Sequence, residues 1–373
     1  MTTCVGIDLG TTNTVAAFQA SVFDTDRSSG PLLPSVVAFP PTGIRLIGTE
    51  ARQRRPIDPK NTIFSAKRII GRRWFSADTQ EFCKRYDFDI VEGPDGEPCF
   101  KTRAGPFNPT DIATLILGRV ESFAQRDLSG MRVVITVPSK FGQAERQATR
   151  EAAEQAGMED ALILDEPMAV ALAYMSKREQ KTERAAVFDF GGGTFDLAIV
   201  DCEQAEPRIL SYGGDLYLGG DDIDKQMADW AAAEVLTAHR WDLRSDPAVF
   251  SRLVAECEQA KIRLSGQEQT RIDLTRVDPA SPIAALDLTV DQDFLSRLAG
   301  DLVRRTFVIC DEVLAAAGLK ARDLDALFVA GGCTQLPMLR EGIEAYFGRP
   351  VEYAFHPMHT VAIGASLAAG CAE

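Results

Sequence analysis

Phe188-Asp189-Phe190-Gly191-Gly192-Gly193-Thr194-Phe195-Asp196 joins two apolar runs, Ala185 to Phe188 and Leu197 to Val200, through a turn of small residues. That pattern predicts two antiparallel strands closed by a glycine turn. A second copy stands near the N-terminus, where Cys4 to Ile7 and Val15 to Phe18 flank Asp8-Leu9-Gly10-Thr11-Thr12-Asn13. Each turn opens with an aspartate at a strand end, and Asp8 and Asp189 are 181 residues apart. A repeat confined to one loop is weak evidence, so the elements that follow decide the matter.

After the first hairpin the pattern predicts a helix at Asp111 to Ala124, a strand at Val133 to Val137 and a helix at Gln143 to Gln155. A strand at Ala161 to Leu164, Glu166-Pro167 and a helix at Met168 to Met175 complete the series. After the second hairpin come a helix at Phe294 to Ala317, a strand at Ala326 to Val329, Gly331-Gly332 and a helix at Met338 to Tyr346. A strand at Val351 to Ala354, His356-Pro357 and a helix at His359 to Ala369 close it in the same order. The expected fold is therefore α/β and duplicated. Residues 1–180 form one lobe with an insertion at about 34–107, and residues 181–373 form the other with an insertion at about 227–290.

With 45% hydrophobic and 25% charged residues, the composition is that of a globular protein and excludes disordered, collagenous and disulfide-scaffold classes. A net charge of −14 argues against a general nucleic-acid binder, since it repels phosphate backbones. The eight cysteines are scattered singly, with no metal-ligand spacing, and read as reduced core residues. No apolar run is long enough for a membrane span, and Met1 leads almost directly into a strand. The expected location is cytoplasmic.

Small residues after an apolar strand let backbone N–H groups approach an anion, so the two turns suit phosphates. Asp8, Asp189 and Asp196 would repel a polyphosphate unless a divalent cation lay between, and Mg²⁺ suits an all-oxygen set. The competing reading has these aspartates capping turns. No P-loop lysine motif exists, so a cation must come from elsewhere. Between Arg45 and Arg73 stand nine basic residues: Arg45, Arg52, Arg54, Arg55, Lys60, Lys67, Arg68, Arg72 and Arg73. Lys67 is assigned to the phosphates and most of the others to a solvated face. Cys333, beside Gly331-Gly332, is a candidate redox-sensitive thiol.

Several stretches together carry a family resemblance. Besides the two hairpin turns they are Ala66-Lys67-Arg68-Ile69-Ile70-Gly71-Arg72-Arg73, Ile135-Thr136-Val137-Pro138, Gln147-Ala148-Thr149, Asp165-Glu166-Pro167, Leu218-Gly219-Gly220-Asp221-Asp222 and Ala260-Lys261-Ile262. From residue 3 to about 370 the chain resembles the ATPase domain of the DnaK-type chaperones, the heat shock protein 70 family. The resemblance implies an actin-like, ribonuclease H-like duplicated fold with ATP or ADP and Mg²⁺ between the lobes, K⁺ being a further candidate cation. It implies that Gly10, Thr11, Thr12 and Asn13 hold phosphate from one lobe, and Gly191, Gly192, Gly193 and Thr194 from the other. By the same resemblance Asp8, Asp189 and Asp196 organise the metal and its waters. Lys67 positions the attacking water opposite Glu166, and Thr194 is a possible γ-phosphate acceptor. Gly219, Gly220, Glu258, Lys261, Ile262, Ser265, Gly331, Gly332 and Gln335 fall on nucleotide-binding positions, most of them around the adenosine.

Three departures accompany the match. Gln335 stands where the family has an arginine stacked on adenine, Met358 replaces an acidic residue, and Met175 replaces a glycine. The chain is expected to lack the family's peptide-binding domain, since it stops at Gly370-Cys371-Ala372-Glu373. The partners implied are a J-type cochaperone, a nucleotide-exchange factor and an unidentified client or regulator, with no nucleic acid and no membrane. A nucleotide-binding pseudo-ATPase switch, an interaction protein and a small-molecule kinase of the same fold remain as alternatives.

Overall fold

Both apolar hairpins form. The computed structural model describes residues 4–86, 88–124, 131–178, 182–204, 206–279 and 281–368; the expected lobe boundary near 180 and the chain end at 369–373 lie outside them. β1 (Cys4–Leu9) pairs antiparallel with β2 (Asn13–Phe18), which is followed by β3 (Ser21–Val22). On the other side of β1 run β4 (Arg132–Val137) and β5 (Leu162–Asp165), both parallel, giving the order β5-β4-β1-β2-β3. The central strands are buried over nearly their whole length, which explains why they read as apolar runs rather than alternating ones.

Helices α1 (Pro109–Phe123), α2 (Gln143–Gln155) and α3 (Glu166–Met175) connect and cover this sheet. The start of α1 is fixed locally: Asn108 accepts the amide of Asp111, Asp111 accepts that of Asn108, and Pro109 has no N–H to satisfy. Its buried face is Ile112, Ile116, Leu117 and Val120 at helical spacing.

The second sheet contains β6 (Arg184–Phe190), β7 (Phe195–Asp201), β8 (Arg208–Asp215) and β9 (Ala326–Ala330) in the order β8-β7-β6-β9. β6 and β7 form the glycine-turn hairpin, with Asp189 opposite Asp196, and β9 runs parallel to β6. Around it lie α4 (Gly220–His239), α5 (Pro247–Leu264), α6 (Gln292–Ala316), α7 (Pro337–Phe347) and α8 (Thr360–Ala368).

The strand expected at Val351 to Ala354 does not form. Its place beside β9 is taken by side chains. The Tyr174 hydroxyl receives the Val329 amide at 3.0 Å and lies 3.0 Å from the Glu352 carbonyl. Arg349 donates to the carbonyls of Leu324 and Asp325. A fifth strand would therefore meet Val329, Leu324 and Asp325 already engaged, and Pro350 has no amide to offer.

Two helices cross between the sheets. α8, from the C-terminal half of the chain, lies on β1: a Cβ at Gly6 would come 2.2 Å from the Ser366 nitrogen. It also crosses α3 backbone to backbone, since a Cβ at Gly364 would sit 1.7 Å from the Ala169 carbonyl oxygen. Ala169, Val170 and Tyr174 of α3 share one core with Val187, Val200 and Phe328 of the second sheet.

Within 34–107 the chain folds into two small three-stranded sheets and a helix, Ala77–Arg85. Phe82 and Phe100 pack there with Tyr86 and Phe88. In the second half α4 runs unbroken through the boundary expected near 227 and packs with α5 and the hairpin Gln269–Ile272 and Leu288–Asp291. Among the described residues no helix is long and apolar enough to cross a membrane.

Candidate functional site

The two hairpin turns face each other across a cleft of about 310 Å³. In the first turn, Ser35 ties back two carbonyls. Its Oγ donates to Gly10 O at 2.8 Å and its amide to Thr12 O at 2.9 Å. In the second, the first amides of α4 do the same: Gly220 N donates to Gly191 O at 3.1 Å and Asp221 N to Gly192 O at 2.6 Å. Arg68 Nη2 holds the remaining carbonyl, Gly193 O, at 2.9 Å. A planar trans peptide sets its C=O and N–H on opposite sides. Tying the carbonyls back therefore sets the following amides, at the cleft-lining Thr11, Asn13, Gly192, Gly193 and Thr194, opposite those supports and leaves them free to meet an anion.

Close approach explains the glycines. A Cβ at Gly10 would meet Asn13 O at 2.1 Å, and one at Gly192 would meet Thr12 Oγ1 at 2.6 Å. That Thr12 hydroxyl is buried with no hydrogen-bond partner and lines the cleft. Gly219 and Gly220 stand behind the second turn rather than on the cleft wall: a Cβ at Gly219 would strike Gly192 O at 2.5 Å. Gly220 stands beside the cleft-lining Lys261 and Cys333, and its amide supports the turn at Gly191 O.

Lys67 reaches the floor of the cleft, its Nζ 2.7 Å from Glu166 Oε1, with both side chains almost buried. Asp8 and Asp189 line the same cleft, while Asp196 lines a small adjoining cavity shared with Asp189 and Glu166. Burial, then the charge of Glu166, pushes both the Asp8 and the Asp196 carboxyls up to about 7. Asp189 is raised well above its ordinary value by burial and by Glu166, Asp8 and Asp196. Four carboxyl groups share Lys67, with Lys140 acting on Asp196 as well, and form a site short of positive charge.

An added cation fits that imbalance, and the donors are all oxygen, as Mg²⁺ prefers. Among the described residues no three His, Cys, Asp or Glu side chains are grouped so as to hold a metal by themselves. A cation here would share its coordination with phosphate oxygens and water. The buried, unpartnered Thr12 hydroxyl and the amides opposite the tied-back carbonyls supply the complementary anion cradle.

At the other end of the cleft stand Glu258, Lys261, Ile262, Ser265, Gly331, Gly332 and Gln335. Lys261 is buried, 2.8 Å from Asp224 Oδ2 and 2.9 Å from Gly220 O. Burial pulls its ammonium down, but the Asp224 carboxylate more than offsets this and holds it charged above its usual range. Burial likewise pushes Glu258 up, and Arg52, bonded to it from across the cleft, brings it below the usual carboxylate range. Ile262 is half exposed, and Gln335 leans on Gly332 O at 3.4 Å. Gly331 has φ +85°, and a Cβ there would meet Phe190 O at 2.3 Å.

The basic stretch is not a solvated face. Arg55 stacks on Phe64 at 3.7 Å, Arg72 sits between Glu145 at 2.9 Å and Asp78 at 3.3 Å, and Arg68 is only 4% exposed. Arg45, Lys60 and Arg73 alone match that expectation fully, being exposed. Sequence reasoning also missed Asp224, Arg52 and the cleft-lining Pro138, Leu336 and Pro357. The signal for Asp224 was at hand: it stands one helical turn after Gly219-Gly220 and faces Lys261.

Cys333 is 6% exposed, and burial raises its thiol to about 11 despite the nearby Lys261 ammonium. Its thiolate population at pH 7.5 is then about a hundredfold or more below that of a free cysteine. Iodoacetamide should leave Cys333 unmodified in the folded protein and label it only after denaturation, as read by peptide mass spectrometry. Equal labelling in both states would restore the redox-sensitive reading.

Two sheets bridged by crossing helices, with a cleft walled by opposed glycine turns, define an α/β protein built around an anion-receptive interior. A family model described as Hsp70 protein matches residues 4–373. The chain belongs to the Hsp70 family, and with it to a family of ATP-binding, chaperone-like modules that act in general as ATPases.

Proposed function

We propose that this chain binds ATP with Mg²⁺ between two duplicated, actin-like lobes, 1–180 and 181–373, and hydrolyses it slowly by attack of water on the γ-phosphate. The observation that carries the reading is the pair of turns whose carbonyls at Gly10, Thr12, Gly191, Gly192 and Gly193 are tied back, opposed across Lys67 and four carboxyl groups. Thr11, Thr12 and Asn13 would hold phosphate from one side and Gly191 to Thr194 from the other. Asp8, Asp189 and Asp196 would hold Mg²⁺ and its waters, and the ion would neutralise the phosphates when bound. Lys67 would orient the attacking water, with Glu166 fixing the amine. Glu258, Lys261, Ile262, Ser265, Gly331, Gly332 and Gln335 are assigned to the adenosine end. Thr194 is kept as a possible phosphate acceptor, and K⁺ as a second cation.

Positioning and charge stabilisation are what phosphoanhydride hydrolysis needs, and this cleft offers both without a strong base. Closing of the lobes around the nucleotide is the coupled motion, and a J-type cochaperone, an exchange factor and a client are the proposed partners in the cytoplasm. Calorimetry with ATP and ADP in the presence of Mg²⁺ tests binding: saturable heat at one site per chain supports the reading, and none for either nucleotide removes it. Single-turnover phosphate release separates an ATPase from a nucleotide-binding switch. Asp8→Asn should raise the Mg²⁺ concentration needed for half-maximal hydrolysis by about tenfold or more, the usual size for losing an oriented metal-site partner. An unchanged Mg²⁺ titration would take Asp8 out of that role.

A further inference from the structure

We infer that Arg68 is a positioning residue for the second glycine turn, and that it makes the turn's geometry depend on the cleft being shut. The inference rests on the nucleotide reading above. Arg68 follows Lys67 in one short helical turn, Ala66–Ile69, yet the two side chains part: Lys67 goes to Glu166 and Arg68 crosses to Gly193. Arg68 does not line the cleft. It acts through the Gly193 carbonyl.

Its surroundings argue against simple ion pairing. A guanidinium this buried is costly unless its donors are used, yet Arg68 Nε is buried without a partner. The nearest bridging carboxylate, Asp221, stays 3.8 Å away, whereas the Gly193 carbonyl is at 2.9 Å. The guanidinium lies on the Tyr217 ring at 4.8 Å, and Arg85 lies 4.3 Å from the same ring. A side chain kept for its charge would sit on Asp221. This one is aimed at a backbone oxygen.

Among the three carbonyls of the turn, those of Gly191 and Gly192 are held by α4, which belongs to the same half of the chain. Only the third is held from the first half. If the first-half insertion swings away, two supports travel with the turn and Arg68 does not. The Gly193–Thr194 peptide then loses its tether, and glycine gives it the freedom to rotate. Because C=O and N–H are opposed in one plane, that rotation takes the Thr194 amide off the cleft. Lys67 withdraws on the same segment, so donor and lysine are lost together.

The test compares Arg68→Gln and Arg68→Lys with the wild type in single-turnover hydrolysis and in affinity for ATP and ADP. Arg68→Gln should hydrolyse about tenfold or more slowly, a typical cost of misplacing a positioned group, and should weaken ATP binding more than ADP binding. Arg68→Lys, whose longer side chain carries its donor nearer to Gly193 O than the shorter glutamine amide reaches, should recover most of both. Should Arg68→Gln show no cooperative melt, Tyr217→Leu removes the supporting ring and should shift rate and preference in the same direction. Unchanged rates, or equal losses of ATP and ADP affinity at unchanged rate, would overturn the inference while leaving the nucleotide reading standing. A wild type that binds neither nucleotide would instead remove that reading itself.

Discussion

Lys67→Ala should lower single-turnover hydrolysis of ATP by about a hundredfold or more, the usual order for deleting one transition-state donor, while ADP still binds. The Lys67 amine lies on the cleft floor, 2.7 Å from Glu166, where it partly offsets the charges of Asp8, Asp189 and Asp196. Charge develops on phosphate oxygens during hydrolysis, and a fixed ammonium in a water-poor site stabilises it without having to reorganise. The ADP arm of the experiment matters because the alanine variant also leaves Glu166 unpaired, and a collapsed site would lose both nucleotides. Lys67→Met keeps the bulk and removes the charge, and it should behave like the alanine variant. Either variant hydrolysing at the wild-type rate would remove Lys67 from the mechanism.

Gly364→Val should be the most damaging single change to stability, costing about 3 kcal/mol or more, the upper range for overpacking a closed core. The reason is proximity rather than backbone freedom. A Cβ at Gly364 would stand 1.7 Å from the Ala169 carbonyl oxygen, and both atoms belong to helices that cannot move without pulling on a sheet. With a total stability of only about 5–15 kcal/mol for an ordinary domain, most of the expressed protein should then be insoluble or melt early. Gly300→Ala on α6 is the control: nothing lies within 4 Å of a Cβ there, so the change should stabilise by about 0.5–1 kcal/mol. Urea midpoints measure both. A Gly364→Val midpoint equal to that of the control would show that α3 and α8 are not in backbone contact.

What the sequence disclosed follows the range of the forces involved. The two hairpins, the helix at Gln143–Gln155 and the cap of α1 depend on residues a few positions apart, and they could be read directly. Val351 to Ala354 could not, because Tyr174 and Arg349 decide whether that run has a ladder to join. Apolar character marks burial but does not say which partner supplies the hydrogen bonds. The basic stretch failed for a related reason. Arg52 meets Glu258, 206 residues further along, and Arg68 meets Gly193, 125 residues further along, so local charge density gave no hint that they were buried or paired. For the cleft, the two glycine and threonine turns were legible and their supports were not: nothing local announces that Ser35 holds Gly10 and Thr12 from behind.

The phenol and guanidinium at the outer margin of β9 also bear on how crowded copies of this chain treat one another. A bare sheet margin offers a row of free amides and carbonyls onto which a stranger's backbone can zip, the first step toward fibrils. Here Val329 gives its amide to Tyr174, and Leu324 and Asp325 give their carbonyls to Arg349. Two side chains thus occupy part of the row that a stranger's backbone would need, at Val329 and just ahead of the strand at Leu324 and Asp325.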